Sequence, residues 1–282
     1  MPELPELQAL VEALDPLVSR APIASIPVAH FAVMKTATPP IGALVGRTLA
    51  GAGRRAKHLL FATADGELML HVHLMTNGRM AYHEPGGKQP GNAVLLLGFA
   101  DGGWLATTER ATRKQVRVRL GTPAEVAAEL EGLGPEPFDD AFDAAALDLA
   151  LARGGQLSTL VRDQRAIAGI GRAFANEILH EAMLGPFAAA DRLDADERAR
   201  LYAAIRSVLV DGIERFRPRG PRMVAKKGTD VYAIHGHAGD PCPRCRTPLA
   251  HIDYESYQIV YCPTCQTGGK LYADRRLSRL LK

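Results

Sequence analysis

Long apolar runs are missing from this chain of 282 residues. No stretch reaches the roughly 18 consecutive apolar residues that a membrane-spanning helix requires, so no contact with a membrane is expected. The basic, apolar and small-residue succession of a secretory signal is also missing from the first residues, which predicts a cytoplasmic protein. The composition, 47% apolar and 23% charged, is that of a globular chain, and its length suits two domains with a smaller appendage.

Cysteine is scarce, and all four cysteines fall in one short segment. Cys242 and Cys245 form one C-x2-C pair, and Cys262 and Cys265 form a second pair sixteen residues later. Four thiolates at this spacing can close a tetrahedral Zn²⁺ site; two disulfides are the alternative, which an unsecreted chain disfavours. Because residues 236–282 are too few to bury a core, one structural Zn²⁺ per chain is expected to supply the folding energy of this module.

A large excess of one charge is also missing, since the net charge is only +3, but the charge is unevenly placed. Residues 217–282 hold 12 Lys and Arg against 5 Asp and Glu, whereas residues 1–216 hold 22 against 26. A basic C-terminal region is typical of a site for a polyanion, most often nucleic acid, although a solvated basic face is the alternative. Residues 122–155 carry eight acidic side chains and one arginine, so they are expected to face away from a polyanion.

The periodicity of apolar residues changes near residue 122. Before it, one amphipathic helix over residues 3–19 precedes short β-rich runs without intervening helices, which predicts an antiparallel sandwich or barrel. After it the spacing is helical, and a basic Pro- and Gly-rich linker over residues 216–230 leads to the cysteine module. The predicted strands are 58–63, 67–74, 93–100 and 115–120, and the later helices are 123–131, 143–153, 156–163, 173–183 and 194–216.

The opening segment "MPELPE" has two interpretations. Proline suits the first turn of a helix, so Pro2 can simply begin one. If Met1 is removed, however, Pro2 presents a secondary amine, whose ordinary pKa of about 7.7–8.0 the helix dipole would lower. A neutral amine can attack a carbonyl-like carbon, and Glu3 beside it would transfer protons.

Two further segments carry candidate chemistry. In "GRRAKHLLF", Lys57 follows two arginines at the start of a strand and predicts a phosphate clamp or an active-site ammonium, with a solvated basic turn as the alternative. In "DQRAIAGIGRAFANEIL", residues 163–179, a glycine turn between two helices can aim backbone N–H groups at a phosphate. It is not a dinucleotide-binding fingerprint, because no strand precedes it, and a plain helix–turn–helix corner is the alternative.

These motifs occur in one order along the whole chain: "PELPE", the lysine of "GRRAKHLLF", "DQ…IAGIGR…NEIL" and a terminal "CPRC…YCPTCQ". Together they resemble the formamidopyrimidine-DNA glycosylase and endonuclease VIII family of base-excision repair enzymes. The resemblance implies an α+β fold, with an N-terminal β-sandwich lobe that carries the first helix, a helix–two-turn–helix bundle and a zinc β-ribbon. We place these domains at residues 1–121, 122–220 and 236–282.

The resemblance also implies an activity, namely that of a bifunctional DNA glycosylase and abasic-site lyase. Pro2 would be the nucleophile at the sugar C1′ of a flipped-out nucleotide, and Glu3 the acid and base that opens the sugar ring. Glu6 would buttress this site, and Lys57 would contact the phosphate beside the lesion. Damaged DNA is the expected partner, bound by a monomer associated with the nucleoid.

The chain departs from the family pattern at expected DNA contacts. The asparagine that usually follows "GIG" is Arg172, which can also bind phosphate, and Asn176 nearby is a second candidate or only a packing residue. The ribbon arginine five residues before the third cysteine is replaced by Tyr257, which can donate one hydrogen bond or stack but brings no charge.

The loops expected to fill the gap in the duplex differ as well. "HLMTNGR", residues 73–79, shifts the apolar methionine of the pattern, and "TERATRK", residues 108–114, lacks the Arg-Phe wedge, so Arg110 or Arg113 would enter the duplex or only touch phosphates. A short stretch before the ribbon argues against a strict 8-oxoguanine enzyme and leaves an oxidised pyrimidine, an abasic site or an unusual adduct. The alternative function is a non-catalytic binder of damaged DNA that kept the fold.

Overall fold

The computed structural model describes residues 1–223, 228–254 and 257–272. The chain divides into two compact units, the first formed by Met1–Gly132 with Ile213–Lys227 and the second by Leu133–Gly212 with Gly228–Lys282. The domain boundaries at 121, 220 and 236 stay predictions, and the predicted linker 216–230 lies partly outside the described residues.

The described residues form helices and strands with the following bounds. The helices are α1 Leu4–Val18, α2 Pro123–Leu130, α3 Ala144–Leu151, α4 Leu157–Leu160, α5 Arg172–Glu181, α6 Ala195–Phe216 and α7 Pro263–Thr267. The strands are β1 Ile23–Ala29, β2 Gly53–Arg55, β3 His58–Ala62, β4 Met69–His73, β5 Gly78–His83, β6 Ala93–Phe99, β7 Trp104–Glu109, β8 Arg117–Gly121, β9 Ala250–Tyr254 and β10 Tyr257–Tyr261.

Among the described residues, the first unit contains two antiparallel four-stranded sheets, ordered β1-β6-β7-β5 and β2-β3-β4-β8. Each strand alternates between the two faces of its sheet, so that Leu59 and Phe61 of β3 point into the core while His58 lies on the outer face. The inner faces of both sheets contribute to one apolar cluster, to which Val72 and Leu97 also belong. The predicted antiparallel sandwich is therefore confirmed.

Helix α1 completes the core of the first unit. Its apolar residues recur every three or four positions and form one buried stripe, as the sequence predicts. The helix packs against β2, and the turn Arg217–Arg219 packs against the helix. This packing holds the beginning of the chain in a defined position. The apolar stripe consists of Leu7, Leu10, Val11, Leu14, Leu17 and Val18.

The second unit is helical, with a small β-ribbon near its end. Helix α5 is buried along most of its length and contacts α4, α7 and strand β10. Strands β9 and β10 pair antiparallel, with Ile259 opposite Ile252. The ribbon has only a small apolar cluster, built from Ile234, Leu249 and Val260 together with cysteines. Within the described residues, no helix is both long and apolar enough to span a bilayer.

Candidate functional site

The chain begins at the entrance to α1, where the first candidate residues lie. Pro2 is buried, whereas Met1, which precedes it, is 45% exposed. Glu3 is the N-cap of α1, with extended backbone angles, and is only 4% exposed. Its carbonyl oxygen accepts the first helical hydrogen bond, from the N–H of Leu7 at 3.1 Å. Pro2 and Glu3 are thus adjacent at the positive end of a helix dipole.

Two arginines from the turn after α6 reach α1. The guanidinium of Arg219 lies 4.0 Å from a carboxylate oxygen of Glu6, which is 3% exposed. Nearly two turns further along α1, Arg217 donates to Glu12 at 2.8 Å and also pairs with Glu214. The Arg217 hydrogen bond lowers the pKa of Glu12, so this pair is ionised at neutral pH. These contacts fasten the N-terminal helix within the first unit.

Lys57 lies in the two-residue turn between β2 and β3, a half-buried position. Ala56, the other turn residue, adopts a left-handed φ of 52°. Directly after the turn, His58 pairs across the sheet with His73, and its Nδ1 lies 2.7 Å from Nε2 of His71. Three imidazoles therefore share one sheet face next to the lysine.

Cationic groups of β8 border this histidine cluster, which consists of His58, His71 and His73. Arg117 lies opposite His73, and Arg119 lies opposite His71 and pairs with Glu129 of α2. Burial lowers the pKa of His58 to about 3, and that of His71 and of His73 to about 4, with the neighbouring cations adding to the effect. The cluster is thus neutral at neutral pH.

Acid is expected to destabilise the first unit through this histidine cluster. Between pH 6.5 and about 4 the unfolded chain binds protons that the folded cluster does not, so stability is full above pH 6.5 and falls as pH falls. Each such proton lowers the free energy of unfolding by at most ~1.4 kcal/mol per pH unit, and by less where the side chains of the cluster are exposed to solvent. His58→Gln should flatten this fall in urea unfolding curves. His83→Gln, at the end of β5, is the matched control; an equal flattening in both variants would contradict the assignment to the cluster.

Two loops of the first unit line an open cleft of about 510 Å³. Asn77 and Arg79 border it from one loop, and Arg110 from the other. In the first loop, residues 73–79, Gly78 passes so close to a carbonyl that an added Cβ would lie 2.4 Å from the oxygen of Leu74. Only glycine fits there.

The second loop, residues 108–114, is held in shape by one buried carboxylate. Glu109 is fully buried and accepts hydrogen bonds from the backbone N–H groups of Gln115, at 2.9 and 3.0 Å, and Val116, at 3.1 Å. This leaves Arg110 and Arg113 exposed on a defined turn. Both candidate arginines are accessible to a ligand; which of them contacts DNA stays a prediction.

In the second unit, the glycine turn before α5 is organised by Gln164. Its side-chain amide donates to the carbonyls of Arg162, at 2.8 Å, and Ile170, at 2.7 Å, and its oxygen accepts from Gly169 at 3.0 Å. Gly169 has a φ of 97°, which favours glycine. The turn delivers Arg172 to the first position of α5, where it is exposed.

The other candidate DNA-binding residues of this unit lie in different surroundings. Tyr257 begins β10 and is half-buried, and the guanidinium carbon of Arg172 lies 4.1 Å from the centroid of its ring. Asn176 is only 5% exposed, and its amide nitrogen lies 3.0 Å from Nδ1 of His235. The structure thus brings Arg172 and Tyr257 together and buries Asn176 one helical turn away, where its DNA-binding role stays a prediction.

The four cysteine sulfurs meet in one cluster, with all four Sγ atoms within 4.8 Å of one another. The separation is 4.0 Å between Cys242 and Cys265 and 3.4 Å between Cys245 and Cys262. Tetrahedral Zn–S bonds of about 2.3 Å place sulfurs about 3.8 Å apart, so the donor set fits such a metal. Hydrogen bonds from Thr247 lower the pKa of Cys245 to about 6, whereas burial raises the pKa of Cys262 and that of Cys265.

Contacts from α5 support this cysteine cluster. His180, buried in α5, lies with Nε2 3.3 Å from Sγ of Cys242. Arg244, between the first two cysteines, donates to the carbonyl of His180 at 2.9 Å and to the carboxylate of Glu181. These contacts orient the first cysteine pair against the helix.

Several of these organising residues are not among the predicted site residues. Gln164 and Glu109 lie within two of the quoted motifs, but the hydrogen bonds that they make depend on the conformation of each loop. Glu177 accepts three backbone N–H groups, from Ala233 at 2.7 Å, Ile234 at 3.0 Å and His235 at 2.8 Å. A carboxylate inside an otherwise apolar helix face is the one sequence signal that could have indicated it.

Comparisons with known proteins find matches to both parts of this chain. Residues 1–120 match the model of the formamidopyrimidine-DNA glycosylase N-terminal domain, and residues 133–218 match that of its H2TH domain. The formamidopyrimidine-DNA glycosylase of Moorella thermoacetica is 35% identical over 265 residues, covering 89% of this chain and 94% of the relative. An uncharacterized formamidopyrimidine-DNA glycosylase-like protein of Mycobacterium tuberculosis is 40% identical over 162 residues, 57% of this chain and 99% of that protein.

Solved structures show the same fold. The Lactococcus lactis protein Fpg in complex with DNA containing an abasic site has a TM-score of 0.83 at 23% identity, covering 94% of this chain and 99% of that one. This chain combines a β-sandwich led by a helix, a helical unit with a glycine turn and a ribbon with four clustered cysteines. The chain is a member of the formamidopyrimidine-DNA glycosylase family.

Proposed function

We propose that this protein is a bifunctional DNA glycosylase and abasic-site lyase that acts on damaged DNA as a monomer. The observation that carries the proposal is the adjacency of Pro2 and Glu3 at the start of α1, in a chain of this family. Relatives carry the name formamidopyrimidine-DNA glycosylase, and similar chains have been solved with DNA that contains an abasic site or Fapy-dG. Loss of Met1 would expose the nitrogen of Pro2 as a secondary amine.

The proposed reaction begins with a nucleotide that has left the base stack, since C1′ is inaccessible inside a duplex. The nitrogen of Pro2 attacks C1′ and loses its proton, and the bond from C1′ to the base breaks, its electron pair leaving with the base, which takes up a proton. The bond from C1′ to the ring oxygen then opens as Glu3 protonates that oxygen, which leaves an iminium between Pro2 and the sugar.

The iminium acidifies the hydrogens on C2′. Removal of one of them drives elimination of the 3′ phosphate, a second elimination can release the 5′ phosphate, and water then frees Pro2 from the sugar. Lys57 is proposed to hold the phosphate beside the lesion, and its neutral histidine neighbours add no competing charge. Glu6, beside Arg219, is proposed to keep the N-terminal segment in place.

We propose Zn²⁺ as the ion of the cysteine cluster, one per chain, through Cys242, Cys245, Cys262 and Cys265. Sulfur-only donor sets at tetrahedral spacing favour zinc in structural sites. A closed site of this kind supports folding of the ribbon and takes no part in the reaction.

A non-catalytic binder of damaged DNA is the second candidate function. It is favoured by Arg172 and Tyr257, which replace residues that the family resemblance expects at DNA contacts. This candidate predicts selective binding of lesions with neither an imine nor a strand cut.

Borohydride trapping separates the two candidates. The purified chain, incubated with a duplex that contains an abasic site and then reduced, should form a covalent protein–DNA species on a denaturing gel. Duplexes carrying oxidised pyrimidines, Fapy-dG or 8-oxoguanine then define the substrate, and we expect excision to extend beyond 8-oxoguanine. Tight binding of abasic DNA without a trapped species would exclude the enzyme and leave the binder.

A further inference from the structure

One aromatic ring in the second unit is in contact with two arginines. The guanidinium carbon of Arg172 lies 4.1 Å from the ring centroid of Tyr257, and that of Arg162 lies 4.8 Å from it. Arg162 also donates from Nη2 to the hydroxyl of Tyr257 at 3.1 Å. Tyr254 stacks on the same ring, with centroids 4.5 Å apart and planes 2° from parallel. Tyr257 therefore holds both guanidinium groups in fixed positions.

Three separate elements build this arrangement. Arg162 follows α4 in the turn that Gln164 organises, and its carbonyl accepts the amide of Gln164 at 2.8 Å. Arg172 begins α5 and is exposed, and Tyr257 begins β10, whose strand packs on α5. The turn after α4, the start of α5 and the start of β10 thus bring the two guanidinium groups to one ring.

Two cations beside one neutral ring repel each other, and the negative face of the ring offsets only part of that repulsion. An anion bound between the groups would remove the repulsion, and guanidinium planes match the oxygens of a phosphate. We propose that Arg162 and Arg172, positioned by Tyr257, bind one phosphate of the DNA backbone.

This inference rests on the proposed function, since it assumes that DNA is the ligand. It adds Arg162 as a DNA-binding residue and makes Tyr257 a positioning residue that acts through the two arginines. It also explains together the two departures from the family pattern, namely Arg172 in place of the usual asparagine and Tyr257 in place of the usual arginine. The charge that the resemblance expects on the ribbon comes instead from α4–α5, and the ribbon contributes the ring that holds it.

Fluorescence anisotropy with a labelled duplex tests the proposal, using a tetrahydrofuran analogue of the abasic site that cannot form an imine. Arg162→Ala and Arg172→Ala should each weaken binding about tenfold and each reduce the salt dependence of log Kd by about one phosphate contact. Arg165→Ala, which removes an exposed arginine from the same turn, is the matched control and should stay within about threefold of the parent. An equal loss of affinity in all three variants would mean that any positive charge in this turn has the same effect. That result would overturn the proposal that Arg162 and Arg172 bind one phosphate together.

A cycle of substitutions tests the role of Tyr257. Tyr257→Phe keeps the ring and loses one hydrogen bond, so it should weaken binding only about twofold, whereas Tyr257→Ala should weaken it about tenfold. In a chain that already carries Arg162→Ala and Arg172→Ala, Tyr257→Ala should change the affinity no further. A further loss in that background would mean that the ring contacts DNA directly and would overturn the positioning role.

Failure of this inference can be told from failure of the proposed function. Circular dichroism and zinc content establish that each variant is folded. If the parent chain is trapped by borohydride but the arginine variants bind the duplex with the affinity of the parent, only the proposed phosphate site of Arg162 and Arg172 is wrong. If the parent neither binds the duplex nor is trapped, the proposed function itself is wrong.

Discussion

Replacement of Pro2 by glycine is expected to reduce base excision by about 100-fold or more and to reduce borohydride trapping sharply. A secondary amine gives an iminium that keeps its positive charge, because its nitrogen has no further proton to lose. Glycine offers a primary amine, whose imine can lose its proton and with it most of the acidity at C2′. Glycine also lacks the ring that fixes φ, so the nitrogen is less firmly aimed from the start of α1. Excision, trapping and single-turnover rates measure the change.

Pro5→Ala is the matched control, since Pro5 is a buried proline of the same segment that does not carry the terminal nitrogen. This variant should retain trapping within about threefold of the parent. Intact mass of the parent chain should show that Met1 has been removed, because a retained Met1 would acylate the nitrogen of Pro2. Undiminished trapping by Pro2→Gly, or full activity in a chain that keeps Met1, would contradict the assigned nucleophile.

The second large effect is expected from Cys242→Ser. Metal binding to structural zinc sites contributes roughly 10–16 kcal/mol at neutral pH, and the ribbon has only a small apolar cluster to replace it. The zinc content should fall from one per chain to near zero, and hydrogen exchange should show lost protection in β9 and β10. Strands β3 and β4 should keep their protection, because the sandwich has its own core. Affinity for abasic DNA should fall by about 100-fold or more.

Thr264→Ala is the control for the cysteine variant. Thr264 lies between Cys262 and Cys265, is exposed, and exchanges a hydrogen bond with Thr247. It should retain one zinc per chain and the parent affinity. A Cys242→Ser chain that keeps its metal, or that loses the metal while β9 and β10 stay protected, would contradict a structural zinc site.

Helices were more predictable from the sequence than strands. The predicted helix over residues 3–19 corresponds to α1, Leu4–Val18, and that over 194–216 to α6, Ala195–Phe216. Helical periodicity involves many residues of one continuous segment, so a helix can be recognised without knowing which other segments pack against it. Strands β1, β2, β5 and β7 were not predicted. Strand β1 contains a proline and is largely exposed, and β7 carries Thr107 on its buried face. Their conformation depends on the strands beside them.

The candidate site divides in the same way. Pro2, Lys57 and the four cysteines stand in short motifs, so the sequence alone could propose them as candidates, and the roles of Pro2 and Lys57 stay predictions. Arg162 could not be identified from a motif, because its partner Tyr257 lies 95 residues away in the sequence. The histidine cluster is a similar case, because it exists only when β3 and β4 pair in register.

The sequence by itself determined the elements whose causes are local: the apolar stripe of α1, the glycine turn before α5 and the spacing of the four cysteines. Only the tertiary structure decided which polar groups meet. It buried Asn176 against His235, placed Glu177 under three backbone N–H groups and set two arginines on one tyrosine ring. The physical reason is that backbone preferences act over a few residues, whereas the partners of a buried or stacked polar group come from distant segments that meet only as the cores form.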